Sequence, residues 1–99
     1  MRRGTTPTHE FTTDTDLTSA DVIYLTYKQG NHTVLELEKD RMTVTAESLS
    51  VTLTQEETLS FDQSLNFNIQ IRARFPDQSA VASNIMNATA EAILKDGVI

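Results

Sequence analysis

Between Asn66 and Phe75, Phe67, Ile69, Ile71 and Ala73 alternate without interruption with Asn68, Gln70, Arg72 and Arg74. A strand sends successive side chains to opposite faces, so this period of two predicts one dry face and one wet face along the segment. The same alternation recurs over most of the chain. It sets the fold class as all-β.

A chain of 99 residues has room for one domain, whose single core buries roughly 65% of the surface exposed by the unfolded chain. It contains no cysteine, which removes disulfides, thiolate chemistry and Cys-based zinc sites and leaves packing and ladder hydrogen bonds to hold the fold. No run approaches the roughly 20 apolar residues of a membrane helix. Met1-Arg2-Arg3 is followed by Gly4-Thr5-Thr6-Pro7 rather than an apolar signal core. A soluble protein with no targeting address and no membrane partner is expected. The net charge of −6 repels phosphate backbones and argues against nucleic acid as a partner.

Fifteen threonines against three glycines and two prolines favour pleated structure, because β-branched side chains suit strands better than helices. About seven strands are predicted. Residues 6–13 carry Phe11 among alternating polar residues, with Pro7 confining them to a sheet edge. Residues 22–28 are apolar on both faces and read as a central strand. Gln29-Gly30-Asn31 then turns a tight hairpin into residues 33–38. A short strand over 41–45 and the run Leu49, Val51, Leu53 follow. Thr54-Gln55-Glu56-Glu57 fits a capping box, so one helical turn is expected over 55–60, with Leu59 and Phe61 plugging one end of the core. Phe75-Pro76-Asp77-Gln78 suits a type I turn. Residues 80–92 contain enough Ala, Glu and Met for a helix, but the preceding turn favours a returning strand broken by a bulge over residues 80–90. These elements predict an immunoglobulin-like antiparallel β-sandwich, with a small Greek-key barrel as the alternative.

Motifs that carry chemistry are few. Asp14, Asp16 and Asp21 resemble a calcium loop only in part, since Thr18, Ser19 and Leu25 occupy positions that need an acid, a glycine and the bidentate Glu. His9 and His32 have no partner at metal-ligand spacing. There is no nucleophile elbow, phosphate loop or dinucleotide fingerprint. No catalytic residue, metal site, cofactor or small-molecule substrate is therefore expected. Arg72 and Arg74 fall on the polar face of their strand and are opposite in sign to Glu36 and Glu38 on another strand, so cross-strand pairing is expected, with a basic contact stripe as the alternative. The termini draw more attention. Arg2 and Arg3 read as a charged mobile arm, and Leu94, Val98 and Ile99 place apolar groups where a chain normally frays.

Residues 1–8 (MRRGTTPT), 50–59 (SVTLTQEETL) and 93–99 (ILKDGVI) resemble a family of short proteins encoded in phages and prophages of gut Firmicutes. The resemblance spans the whole chain. It implies a virion structural protein, similar in architecture to the immunoglobulin-like N-terminal domains of baseplate upper proteins, with no catalytic residues. Where the family carries Asp-Gly in the last hairpin turn, this chain has Asp77-Gln78.

The resulting expectation is a phage tail, baseplate or surface-decoration subunit, made in the bacterial host cytoplasm and located in the virion. Its partners would be other phage structural proteins or copies of itself, and the contact residues Arg2, Arg3, Leu94, Val98 and Ile99, with Arg72 and Arg74 second. The alternative is a soluble phage-encoded inhibitor of a host enzyme, such as an anti-defence protein, whose acids Glu36, Glu38, Asp40 and Glu47 would gather on one face to mimic nucleic acid.

Overall fold

The computed structural model describes all 99 residues. Eight strands form two antiparallel sheets: β1 (Thr8–Thr12), β2 (Val22–Gln29), β3 (His32–Glu38), β4 (Met42–Val44), β5 (Ser48–Thr52), β6 (Asn66–Arg74), β7 (Ala80–Ala82) and β8 (Met86–Thr89). The small sheet has the order β1-β5-β4. The large sheet runs β3-β2-β6, with β7 and β8 both on the far side of β6. The sheets remain separate and form a sandwich rather than a barrel. Their connectivity is that of immunoglobulin strands B-E-D over C′-C-F-G, with the one α-helical turn, α1 (Gln55–Leu59), at the corner between E and F. The first strand of that fold, A, has no counterpart.

The opening alternation is realised residue by residue. Phe67, Ile69, Ile71 and Ala73 of β6 are buried, while Asn68, Arg72 and Arg74 are exposed. β2 lies centrally between β3 and β6 and adds Ile23, Leu25 and Tyr27 to the same inner face. Leu49, Val51 and Leu53 close the core from the small sheet. An immunoglobulin core is usually centred on a Trp of strand C and a B–F disulfide. Here Tyr27, Phe61 and Phe67 take over: the two phenylalanine rings meet edge-on at 4.9 Å, and Tyr27 stands at 5.8 Å from Phe61 and 6.0 Å from Phe67. Phe61 plugs the core as expected, whereas Leu59 is only half-buried.

Local chemistry explains the connections. Between β2 and β3 only Gly30 takes a positive φ, 59°, the pattern of a type II′ turn. The capping box forms in full: Thr54 accepts from the Glu57 amide, and the Glu57 carboxylate accepts from the Thr54 amide. Glu57 also grips Arg41 through two 2.8 Å hydrogen bonds, tying α1 to the 3-10 turn at Lys39–Arg41. At the last hairpin, Gln78 donates its amide to the Phe75 carbonyl and adopts φ 74°. It occupies the left-handed position that glycine fills more easily.

The return after that turn is a strand, not a helix, and its interruption raises the strand count from seven to eight. β7 pairs with Arg72–Arg74 and β8 with Asn66–Ile69. At the break Ser83 replaces the missing ladder contact, its Oγ accepting from the Ile71 amide while its own amide donates to the Ile71 carbonyl. The chain therefore leaves the sheet between β7 and β8 without orphaning the buried backbone of β6.

Candidate functional site

The first three residues, expected as a mobile arm, are folded onto the body. The Met1 ammonium donates to the Thr89 carbonyl, Glu91 donates its amide to Met1, and Arg3 donates its amide to Glu91. Arg2 pairs with Glu91 at 3.0 Å and donates to the Ala92 carbonyl. Arg3 is the more enclosed of the two, donating through Nε to Phe61 O at 2.7 Å and through a terminal nitrogen to Leu59 O at 3.0 Å. It thereby satisfies carbonyls left open at the end of α1. Gly4, with φ 73°, turns the chain away, and a Cβ there would stand 2.9 Å from Ile93 Cδ1.

The C-terminus behaves differently. Ile93 tucks against Gly4, but Leu94 is fully exposed, Ile99 is 88% exposed and Val98 56%. Only Gln55 holds the last residue, accepting from and donating to the Ile99 backbone. Three apolar side chains are thus displayed to solvent on a short segment.

Arg72 and Arg74 lie on the outer face of the large sheet, as expected, but they do not pair with Glu36 and Glu38. Strand β2 separates them: Arg72 stands opposite Tyr24, and Glu38 lies on the far side of Tyr24. Two inter-strand steps amount to about 10 Å between backbones, and the Tyr24 side chain stands between the two charges. Arg74 instead approaches Asp21 at 3.7 Å, and Glu36 accepts from Thr26. Glu36 and Glu38 belong to the large sheet, whereas Glu47 sits in the β4–β5 turn of the small one. Asp16 is occupied locally, accepting from the amide and hydroxyl of Thr18.

His9 is a half-buried member of the core lining, its Nδ1 2.7 Å from the Tyr27 hydroxyl. Burial holds the His9 pKa below its ordinary value of 6.5 and pushes that of Tyr27 up, so the two share a hydrogen bond as neutral groups. Unfolded His9 takes up a proton more readily than folded His9, so stability falls as pH drops through about 6.5. Thermal unfolding followed by circular dichroism should therefore show a declining midpoint below about pH 6.5, less steep in His9→Gln. Equal slopes in the two proteins would exclude His9 as the cause. A second decline belongs below the ordinary carboxylate value of 4.5, because Arg41 holds the Glu57 pKa down.

The feature that sequence reasoning missed follows from the absent first strand. In β1, Pro7 and Thr13 bond to Leu53 and Glu47 across the ladder, so the alternate residues Thr8, Glu10 and Thr12 direct their N–H and C=O groups away from β5. On the large sheet, Ser79 and Ser83 bond to Phe75 and Ile71. Ala80 and Ala82 are left with outward-directed backbone groups on β7. These two open edges flank a groove of about 690 Å³ floored by Leu17 and Ile71, with Phe11, Val81 and Met86 along it. Val81 points inward, opposite Ala73, yet is 36% exposed, since the small sheet has no strand above it. The hydroxyl of Thr13, also at the groove, is buried without a hydrogen-bond partner.

Comparison of the chain with family models, curated proteins and solved structures finds no match. The open edges and the displayed terminus are its candidate contact surfaces. The only sequence signal for the groove was the modest number of strands ahead of the first hairpin.

Proposed function

We propose that this protein is a non-enzymatic structural subunit of a phage particle, serving in the tail, baseplate or surface decoration through contacts with neighbouring subunits. The observation that carries the reading is the coexistence, on one small sandwich, of unpaired strand edges and an apolar terminus held out in solvent. Native folds normally blunt or cover such edges, and an uncovered one suits strand addition by a partner. The resemblance of residues 1–8, 50–59 and 93–99 to phage-encoded proteins supplies the setting. Repetition in a symmetric particle would make weak contacts sufficient through avidity.

Mass spectrometry of purified particles tests this directly. Presence in many copies per particle is expected, whereas absence from particles that are otherwise complete would overturn the assignment.

A further inference from the structure

We propose that the groove between β1 and β7 receives the C-terminal segment of a second copy of this chain, residues 93–99, as an added strand. The proposal rests on the reading of the protein as an assembling subunit and names the contact that would join its copies. The small sheet lacks one strand beside β1, and the vacancy lies over β7, whose inward-pointing Val81 is uncovered. Both walls offer unsatisfied ladder groups, at Glu10 and Thr12 on one side and Ala82 on the other. An extended segment satisfies such groups through its own backbone and covers the floor with alternate side chains.

The occupant follows from what the same chain leaves uncovered. Leu94, Val98 and Ile99 are the displayed apolar residues of a seven-residue end, which extends over about 24 Å, longer than the five-residue β1 at about 17 Å. The groove carries Glu10 and Asp14 and no basic residue, and the segment brings one cation, Lys95, beside one carboxylate, Asp96, so the match rests on its apolar residues and length rather than on charge. Symmetric pairing of two β1 edges is the competing arrangement between copies. Centred on β1, it would set Glu10 opposite Glu10, and like charges in register are destabilising.

The absence of native cysteine permits a clean test on full-length protein. Ala82→Cys and Val98→Cys variants are mixed in a glutathione redox couple. A mixed disulfide between the two chains is expected to exceed that formed by Val98→Cys with Thr43→Cys, on the far edge of the small sheet, by about tenfold. Adding Thr12→Pro to the Ala82→Cys chain should lower the yield by about tenfold. That proline removes an N–H on the open side and costs no ladder bond. If Thr12→Pro fails to fold, the comparison of Ala82→Cys with Thr43→Cys decides alone. Equal linking at the two positions would overturn the groove as the docking site. So would a chain carrying both Ala82→Cys and Val98→Cys that closes on itself as a dilute monomer, because the segment would then be a cis strand. Self-association in sedimentation without the Ala82–Val98 link would retain the subunit reading and overturn this contact.

Discussion

Phe67→Ala is expected to destabilise the protein by about 3–5 kcal/mol, the range for removing a buried aromatic ring. Phe67 is almost fully buried, in edge-on contact with Phe61 and close to Tyr27. Its loss opens a cavity where both sheets and the E–F corner converge. No disulfide limits the damage. Since a small domain holds only about 5–15 kcal/mol in total, the variant should be largely unfolded, or close to it, at 37 °C. Urea unfolding should show a much lower midpoint with an unchanged slope. Phe67→Leu, which retains most of the volume, should lose far less. Similar losses for the two substitutions would mean that the aromatic cluster is not the centre of stability.

The second large effect is expected at Gln29, a buried polar side chain that acts as a surrogate strand. Its Nε2 donates to the Asp62 carbonyl at 2.9 Å, and its Oε1 accepts from the Asp62 amide at 2.7 Å. This pair of hydrogen bonds fastens the end of β2 to the loop that leads into β6. Gln29→Leu has a similar volume but leaves both Asp62 backbone groups without their partner, at a cost of about 1–3 kcal/mol. In a domain of this size that corresponds to a fall of several degrees in Tm. Gln29→Glu keeps the acceptor and loses the donor, so it should be more harmful at neutral pH than in mild acid, where the carboxyl regains a proton. A neutral effect of Gln29→Leu would show that water replaces the side chain at no cost.

Much of the architecture was legible because it is written in local patterns. β6 and the β2–β3 hairpin follow from alternation and a glycine turn, and α1 from a capping box whose hydroxyl and carboxylate are three residues apart. Features set by distant contacts were not legible. Arg2 and Arg3 read as an arm because their partners Glu91, Ala92, Leu59 and Phe61 are remote in sequence, and nothing near Arg3 announces the end of α1. Arg72 was correctly assigned to the outer face, but its pairing with Glu36 or Glu38 failed because strand order interposes Tyr24 and Thr26. The break between β7 and β8 depends on a single hydroxyl, Ser83, standing in for backbone. The missing first strand is invisible to periodicity, which reports faces and not neighbours.

Gln55, which holds the last residue, follows the final residue of β5, whereas Thr13, beside the groove, bonds to Glu47 just ahead of its first. In the proposed contact, donor and acceptor therefore form two poles beyond opposite ends of β5. A junction built from two unlike patches is directional, and each joined copy would present one fresh pole of each kind. Such a series has no internal stop. Unless its rotation closes a ring, its length must be dictated from outside, by a template or by a terminating subunit that lacks one of the poles.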